Sequence, residues 1–269
     1  MRDDLASPAA PSGAPAFPLG LRLAGYAVHL YTASGSVLAL LIVVAAVEGH
    51  PTTALWLGLA TLFIDGTDGM LARRARVKET IPWFDGALLD NIVDYLTYVF
   101  APVVLLWTTH HLPDGVWGWV LAALPLLASS YQFCRVDAKT DDHFFLGFPS
   151  YWNIVAFYVI VLDLSTTTTA VILVICAIGV FVPVRYLYPS RSMVLWQLTM
   201  ALCVVWLATY AILLLQVPHP NAIVVALSLS YVAYYLAVSA WMTVRGARTR
   251  RSVQGRSVQG PSVQGGQSG

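Results

Sequence analysis

The sequence predicts an all-α integral membrane protein with about eight transmembrane helices, and three observations carry that expectation. Hydrophobic residues make up 58% of the chain against 11% charged, with a mean hydropathy of +0.69, which is far too apolar for an ordinary soluble domain. Apolar runs of about 20 residues, the length that crosses a bilayer as a helix, recur along the chain. Finally, Lys and Arg collect in alternate connecting segments, as the positive-inside rule requires of a polytopic protein.

Taken in order, the candidate spans lie near residues 22–47, 52–72, 86–109, 115–134, 151–163, 167–187, 193–216 and 221–244. The fifth and sixth are separated only by Asp163, Ser165 and the threonines that follow; a tight turn is expected there, because one helix through both would overspan the bilayer. Residues 1–20, rich in Ala and Pro, read as a disordered N-terminal segment with no cleavable signal pattern. Residues 21–245 read as the transmembrane domain, and 246–269 as a flexible low-complexity tail in which Ser-Val-Gln-Gly recurs at Ser252, Ser257 and Ser262.

Charge then orients the spans. Arg74, Arg76 and Lys78 follow the second, Lys139 the fourth, Arg191 the sixth, and Arg245, Arg248, Arg250 and Arg251 the eighth, whereas the intervening EGHP, HHLPD, DLSTT and VPHP contain no Lys or Arg. Both termini and the segment 65–94 are therefore expected on the cytoplasmic side. A net charge of +1, with no concentrated basic face, argues against a nucleic-acid partner. Cys134, Cys176 and Cys203 sit in apolar segments and show neither a disulfide framework nor zinc-ligand spacing.

The functional candidates concentrate in residues 65–94, DGTDGMLARRARVKETIPWFDGALLDNIVD, which hold Asp65, Asp68, Asp85, Asp90 and Asp94. An ionisable side chain within a membrane span is expensive and points to function. At 3.6 residues per turn, Asp65, Asp68, Gly69 and Ala72 fall on one helical stripe bordered by Arg73, while Gly86, Asp90 and Asp94 run i, i+4, i+8 along the next helix. Two facing carboxylate stripes can hold divalent cations through oxygen, with glycines leaving room for a phosphate-bearing ligand. A pair of structural ion-pair networks is the plainer alternative, but the carboxylates outnumber the nearby arginines that would belong to it. Asp85 reads as a helix cap beside Gly86. Residues 73–85, cationic at the start and aromatic at Trp83 and Phe84, suit a segment lying at the membrane surface. His29 has no second His or Cys at ligand spacing and reads as an interior histidine.

Asp65, Asp68, Gly69, Ala72, Arg73, Gly86, Asp90 and Asp94 together resemble the signature of the CDP-alcohol phosphatidyltransferase family, D-x-x-D-G-x-x-A-R followed by G-x-x-x-D-x-x-x-D. Residues 74–85 separate the two halves more widely than in most of that family. The wider spacing, with FPSYWN at Phe148–Asn153 and VHLYTASG at Val28–Gly35, is similar to the bacterial branch that joins choline to CDP-diacylglycerol. The resemblance implies a six-helix catalytic bundle with two additional C-terminal helices, a homodimer, and a place in the bacterial inner membrane with the site facing the cytoplasm. It implies that Asp65, Asp68, Asp90 and Asp94 bind one or two divalent metals, Mn2+ or Mg2+. Asp94, alongside Asp90, is implied as catalytic and takes a proton from the acceptor hydroxyl. Asp65, Gly69, Ala72, Arg73 and Gly86 would accommodate CDP, with Arg73 close to the nucleotide or to the carboxylates.

A choline pocket should be walled by aromatic faces, because a quaternary ammonium cannot donate a hydrogen bond. Tyr131, Tyr151, Trp152, Tyr186 and Tyr188 are the candidates, although interfacial belts put Tyr and Trp at such span ends in any case. Other acceptors, namely serine, inositol, glycerol or a glycerol phosphate, keep the same chemistry. A carboxylate-based cation transporter is the alternative from another class, and it would require polar groups through the full membrane depth.

Overall fold

The computed structural model describes residues 17–135, 144–187 and 196–258. Tyr188, Lys139 and Arg191, named above, lie outside those residues. Helices dominate. α1 (Leu19–Val47) and α2 (Pro51–Arg74) form an antiparallel pair closed by a short turn at Gly49, whose φ of 78° suits glycine, and Pro51 starts α2 where its missing N–H costs nothing. After the single turn of α3 (Val77–Thr80), α4 (Gly86–Asp94), a π-helical segment (Tyr95–Phe100) and α5 (Ala101–Thr108) run on as one rod, Gly86–Thr108. α6 (Val116–Cys134), α7 (Trp152–Val161), α8 (Thr166–Phe181), α9 (Trp196–Gln216) and α10 (Ala222–Val258) complete the helical set. A two-stranded antiparallel ribbon pairs β1 (Phe144–Leu146) with β2 (Arg185–Leu187), Phe145 opposite Tyr186.

Helical segments stand at all eight expected places, but among the described residues five are both long and apolar enough to cross a membrane: Leu19–Val47, Gly86–Thr108, Val116–Cys134, Trp196–Gln216 and Ala222–Arg245. α2 has the length and loses hydropathy to Asp65, Asp68, Arg73 and Arg74. α7 has only 10 residues, about 15 Å, because the chain before it is not helical. The expected turn follows it, and Ser165 caps α8 by accepting from the Thr168 N–H at 3.2 Å.

The non-helical stretch before α7 is buried against neighbouring helices, the circumstance in which irregular backbone is tolerated at membrane depth. Gly147 and Phe148 donate their N–H groups to the Val184 and Gly179 carbonyls, and Gln132 Nε2 donates to the Leu146 carbonyl at 3.0 Å. Ser150, fully buried, accepts from Ser129 at 2.9 Å, and Ser129 accepts in turn from Trp152 Nε1 at 2.7 Å.

The apolar core has two lobes. One joins α1, α2, α5, α7 and α9, with Phe157 stacked on Tyr210 at 3.6 Å and 12°. The other joins the π segment, α5, α6, α7 and α8 around Trp152 and Val99. Trp206 of α9 donates to the Tyr158 hydroxyl at 2.9 Å, which is itself 2.7 Å from Ser228 of α10, so the last two helices are bonded to α7. They line one side of a large cavity.

Candidate active site

The site forms where the C-terminal part of α2 meets α4. Oxygen atoms of Asp65, Asp68 and Asp90 lie within 4.8 Å of one another, which brings together both helices' carboxylate stripes. Asp94, one turn beyond Asp90, borders the same narrow gap of about 10 Å3 but stands outside that tight group. Like charges this close oppose one another unless a cation or protons offset them. The donor set is oxygen only, which suits hard divalent cations. Three acidic residues on two rigid helices could therefore hold a divalent metal ion.

Local packing fixes these carboxylates. Thr32 of α1 donates to Asp68 Oδ2 at 2.8 Å, and Asp68 is only 7% exposed. α1 also packs closely on α4, since Gly35 has no side chain: a Cβ there would stand 2.5 Å from Val93 Cγ1. The Tyr98 hydroxyl donates to Asp65 Oδ2 at 2.6 Å from the π segment. Pro102 accounts for that segment, since its ring conflicts with the carbonyl four residues back, Tyr98's, and a widened turn relieves the conflict. Asp85 caps α4 as its position suggested, accepting from the Ala87 and Leu88 N–H groups at 3.0 Å each.

Above the carboxylates opens a cavity of about 2100 Å3, larger than the few hundred to a thousand cubic ångströms of ordinary ligand sites. Asp65, Asp68, Gly69, Ala72, Arg73, Gly86, Asp90 and Asp94 all line it, so every signature residue reaches one space. A Cβ on Gly69 would meet only Arg73 Nη1, at 3.4 Å, whereas one on Gly86 would stand 2.8 Å from His29 Cε1. His29, ring to ring with Phe84 at 4.3 Å, keeps Nε2 buried without a hydrogen-bond partner among the described residues. Phe84 and Trp83 belong to the connector, which docks on α1 through Ile81 at 1% exposure and leaves Trp83 71% exposed. In the same connector Arg76 pairs with Glu79, and that hydrogen bond holds the Glu79 carboxyl below its usual range. Besides the carboxylates the cavity has apolar lining, including Ile172 and Ile175 of α8 and Met200 and Val204 of α9.

The aromatic candidates divide. Tyr151 and Tyr186 line the cavity. Tyr131 is 47% exposed on the outer face of α6, packed on Phe181 and under the Arg135 guanidinium, away from it. Trp152 is fully buried with its indole N–H committed to Ser129. Sequence reasoning missed Tyr98, Phe148 and Tyr235, which also line the cavity. A signal existed for two of them: Tyr98 is four residues beyond Asp94 on the same helical face, and Tyr235 sits mid-span, where no interfacial belt accounts for it.

No family model matches the chain. Curated relatives do. The phosphatidylcholine synthase of Legionella pneumophila is 40% identical over 235 residues, covering 85% of this chain and 92% of its own. That of Pseudomonas aeruginosa is 38% identical over 221 residues, 82% and 92% of the two chains, and that of Borreliella burgdorferi is 34% identical over 220, 81% and 94%. The chain belongs to the phosphatidylcholine synthase family. A match that covers 85% of the chain necessarily includes residues 65–94, which carry the carboxylate cluster.

Proposed function

We propose that this protein transfers the phosphatidyl group of CDP-diacylglycerol to choline, giving phosphatidylcholine and CMP. The observation that carries the reading is the convergence of Asp65, Asp68 and Asp90 at the head of a lipid-sized cavity, in a chain of this family. Asp65, Asp68 and Asp90, with Asp94 at their edge, would hold divalent metal, Mn2+ or Mg2+, which when bound would offset charge on the diphosphate. The choline oxygen attacks the phosphorus that bears the diacylglycerol; a new P–O bond forms as the bond to CMP breaks, and Asp94 takes the hydroxyl proton. Its position outside the tight three-carboxylate group supports that role, because a carboxylate less committed to cation is the better base. Gly69, Ala72 and Gly86 leave room for CDP, and Arg73 meets its charge.

The residues 21–245 constitute the catalytic unit, set in a bacterial inner membrane as a homodimer with the site open to the cytoplasm; one-sided placement of Lys and Arg supports that orientation. The test is CMP release from CDP-diacylglycerol by purified protein with Mn2+, against choline, serine, inositol, glycerol 3-phosphate and no acceptor, each repeated with EDTA. Release with choline, abolished by EDTA, is expected. Release driven by another alcohol would replace the acceptor, and none at all would remove the enzymatic reading.

A further inference from the structure

Five aromatic residues on the cavity wall form a connected arc from four separate places in the chain. Tyr98 of the π segment meets Tyr151, just before α7, with ring centroids 6.1 Å apart at 78°. Tyr151 meets Tyr235 of α10 at 6.2 Å, Tyr235 meets Tyr186 of β2 at 6.2 Å and 27°, and Tyr186 meets Phe148 at 6.3 Å and 82°. All five line the one cavity. One end of the arc is tied to the carboxylates, since Tyr98 donates to Asp65 at 2.6 Å. The other end is held in place by the backbone: the Arg185 N–H of β2 donates to Thr243 Oγ1 of α10 at 2.8 Å, and β2 is paired to β1.

Resting on the choline reading above, we infer that Tyr98, Tyr151, Tyr186 and Tyr235 are the walls that receive the trimethylammonium group, and that Tyr235 of α10 is a specificity-determining residue for the acceptor. A cation gains from a ring face when it lies within about 6 Å of the centroid, and successive rings of this arc, 6.1 to 6.2 Å apart, are close enough for neighbouring pairs to share one such point. Choline carries its hydroxyl two carbons from its nitrogen, so the nitrogen must sit close to the attacking oxygen. An aromatic arc that starts on an Asp65 ligand and borders the same space as Asp94 meets that requirement. The three methyl groups bury against ring carbon, while an ethanolamine ammonium would be left with N–H groups facing ring surface. This wall depends on α10, so the C-terminal helix pair has work beyond packing: it completes acceptor recognition for a carboxylate site built by α1, α2 and α4.

The test compares wild type, Tyr235→Leu, Tyr235→Phe and Tyr186→Leu by formation of phospholipid from CDP-diacylglycerol, with choline and ethanolamine titrated separately. Wild-type activity with choline is read first, and its absence would count against the proposed reaction. Given that activity, Tyr235→Leu and Tyr186→Leu are each expected to raise the KM for choline about tenfold or more while the KM for CDP-diacylglycerol stays within about twofold, and to narrow the preference for choline over ethanolamine. Tyr235→Phe keeps the ring face and is expected to recover most of the choline affinity that Leu loses. A variant with choline KM and choline preference unchanged would overturn the inference, as would equal loss toward both substrates in Tyr235→Leu and Tyr186→Leu together. Should Tyr235→Leu not fold, Tyr186→Leu decides by the same two readouts.

Discussion

At the residue scale the site depends on a division of labour among carboxylates that look alike in sequence. Asp68 is buried and held by Thr32, Asp65 accepts from Tyr98, and Asp94 stands one turn apart from the tight group. Asp94→Asn is nearly isosteric but cannot take a proton. It is expected to lower turnover by at least about a hundredfold, with the melting temperature in detergent little changed. Near-wild-type turnover would move the base elsewhere. Thr32→Val keeps the volume and removes the hydroxyl that orients Asp68, so the Mn2+ concentration for half-maximal activity should rise several-fold. An unchanged metal dependence would mean that Asp68 needs no such support.

At the element scale, legibility followed regularity. The carboxylate faces of α2 and α4 were readable because two uninterrupted helices obey the 3.6-residue period, and Asp85 was readable as a cap from its place before Gly86. Two irregular elements were not. The π segment Tyr95–Phe100 carries no periodic signal, and only Pro102 within the third span hinted at it. The fifth span begins where the sequence places it, but nothing in the sequence shows how the stretch before α7 is built, with the Gly147 and Phe148 N–H groups bonded to the Val184 and Gly179 carbonyls. Tyr131 and Trp152 group with Tyr151 in the sequence by nearness to a span end, which does not tell which side of the helix a ring takes. Pro102→Ala removes the cause of the π turn, and α-helical regularisation would rotate Tyr98 off Asp65. Turnover should fall about tenfold while thermal stability is kept or raised; unchanged turnover would make the π turn incidental. Gly147 is expected to tolerate no side chain, because its φ is +86° and a Cβ would stand 2.2 Å from the Val180 carbonyl oxygen. Gly147→Ala should cost about 2–4 kcal/mol, visible as a melting temperature lower by several degrees in detergent.

At the scale of the whole molecule the charge pattern makes a claim about sidedness. Lys78 lies in the connector beside the carboxylates, and Asp114 lies at the opposite end of the rod Gly86–Thr108. With the three native cysteines replaced by alanine, Lys78→Cys should react with a membrane-impermeant maleimide only in inside-out vesicles, and Asp114→Cys only in right-side-out ones. The reverse pattern would invert the topology. The cavity, lined both by the carboxylates and by Ile172, Ile175, Met200 and Val204, also sets what "substrate concentration" means for the proposed reaction. Its two substrates are dissolved in different phases, one counted in moles per litre and the other as a mole fraction of the surrounding lipid. Diluting vesicles with buffer should then leave the rate per enzyme unchanged at fixed choline, whereas diluting CDP-diacylglycerol with inert phospholipid should lower it.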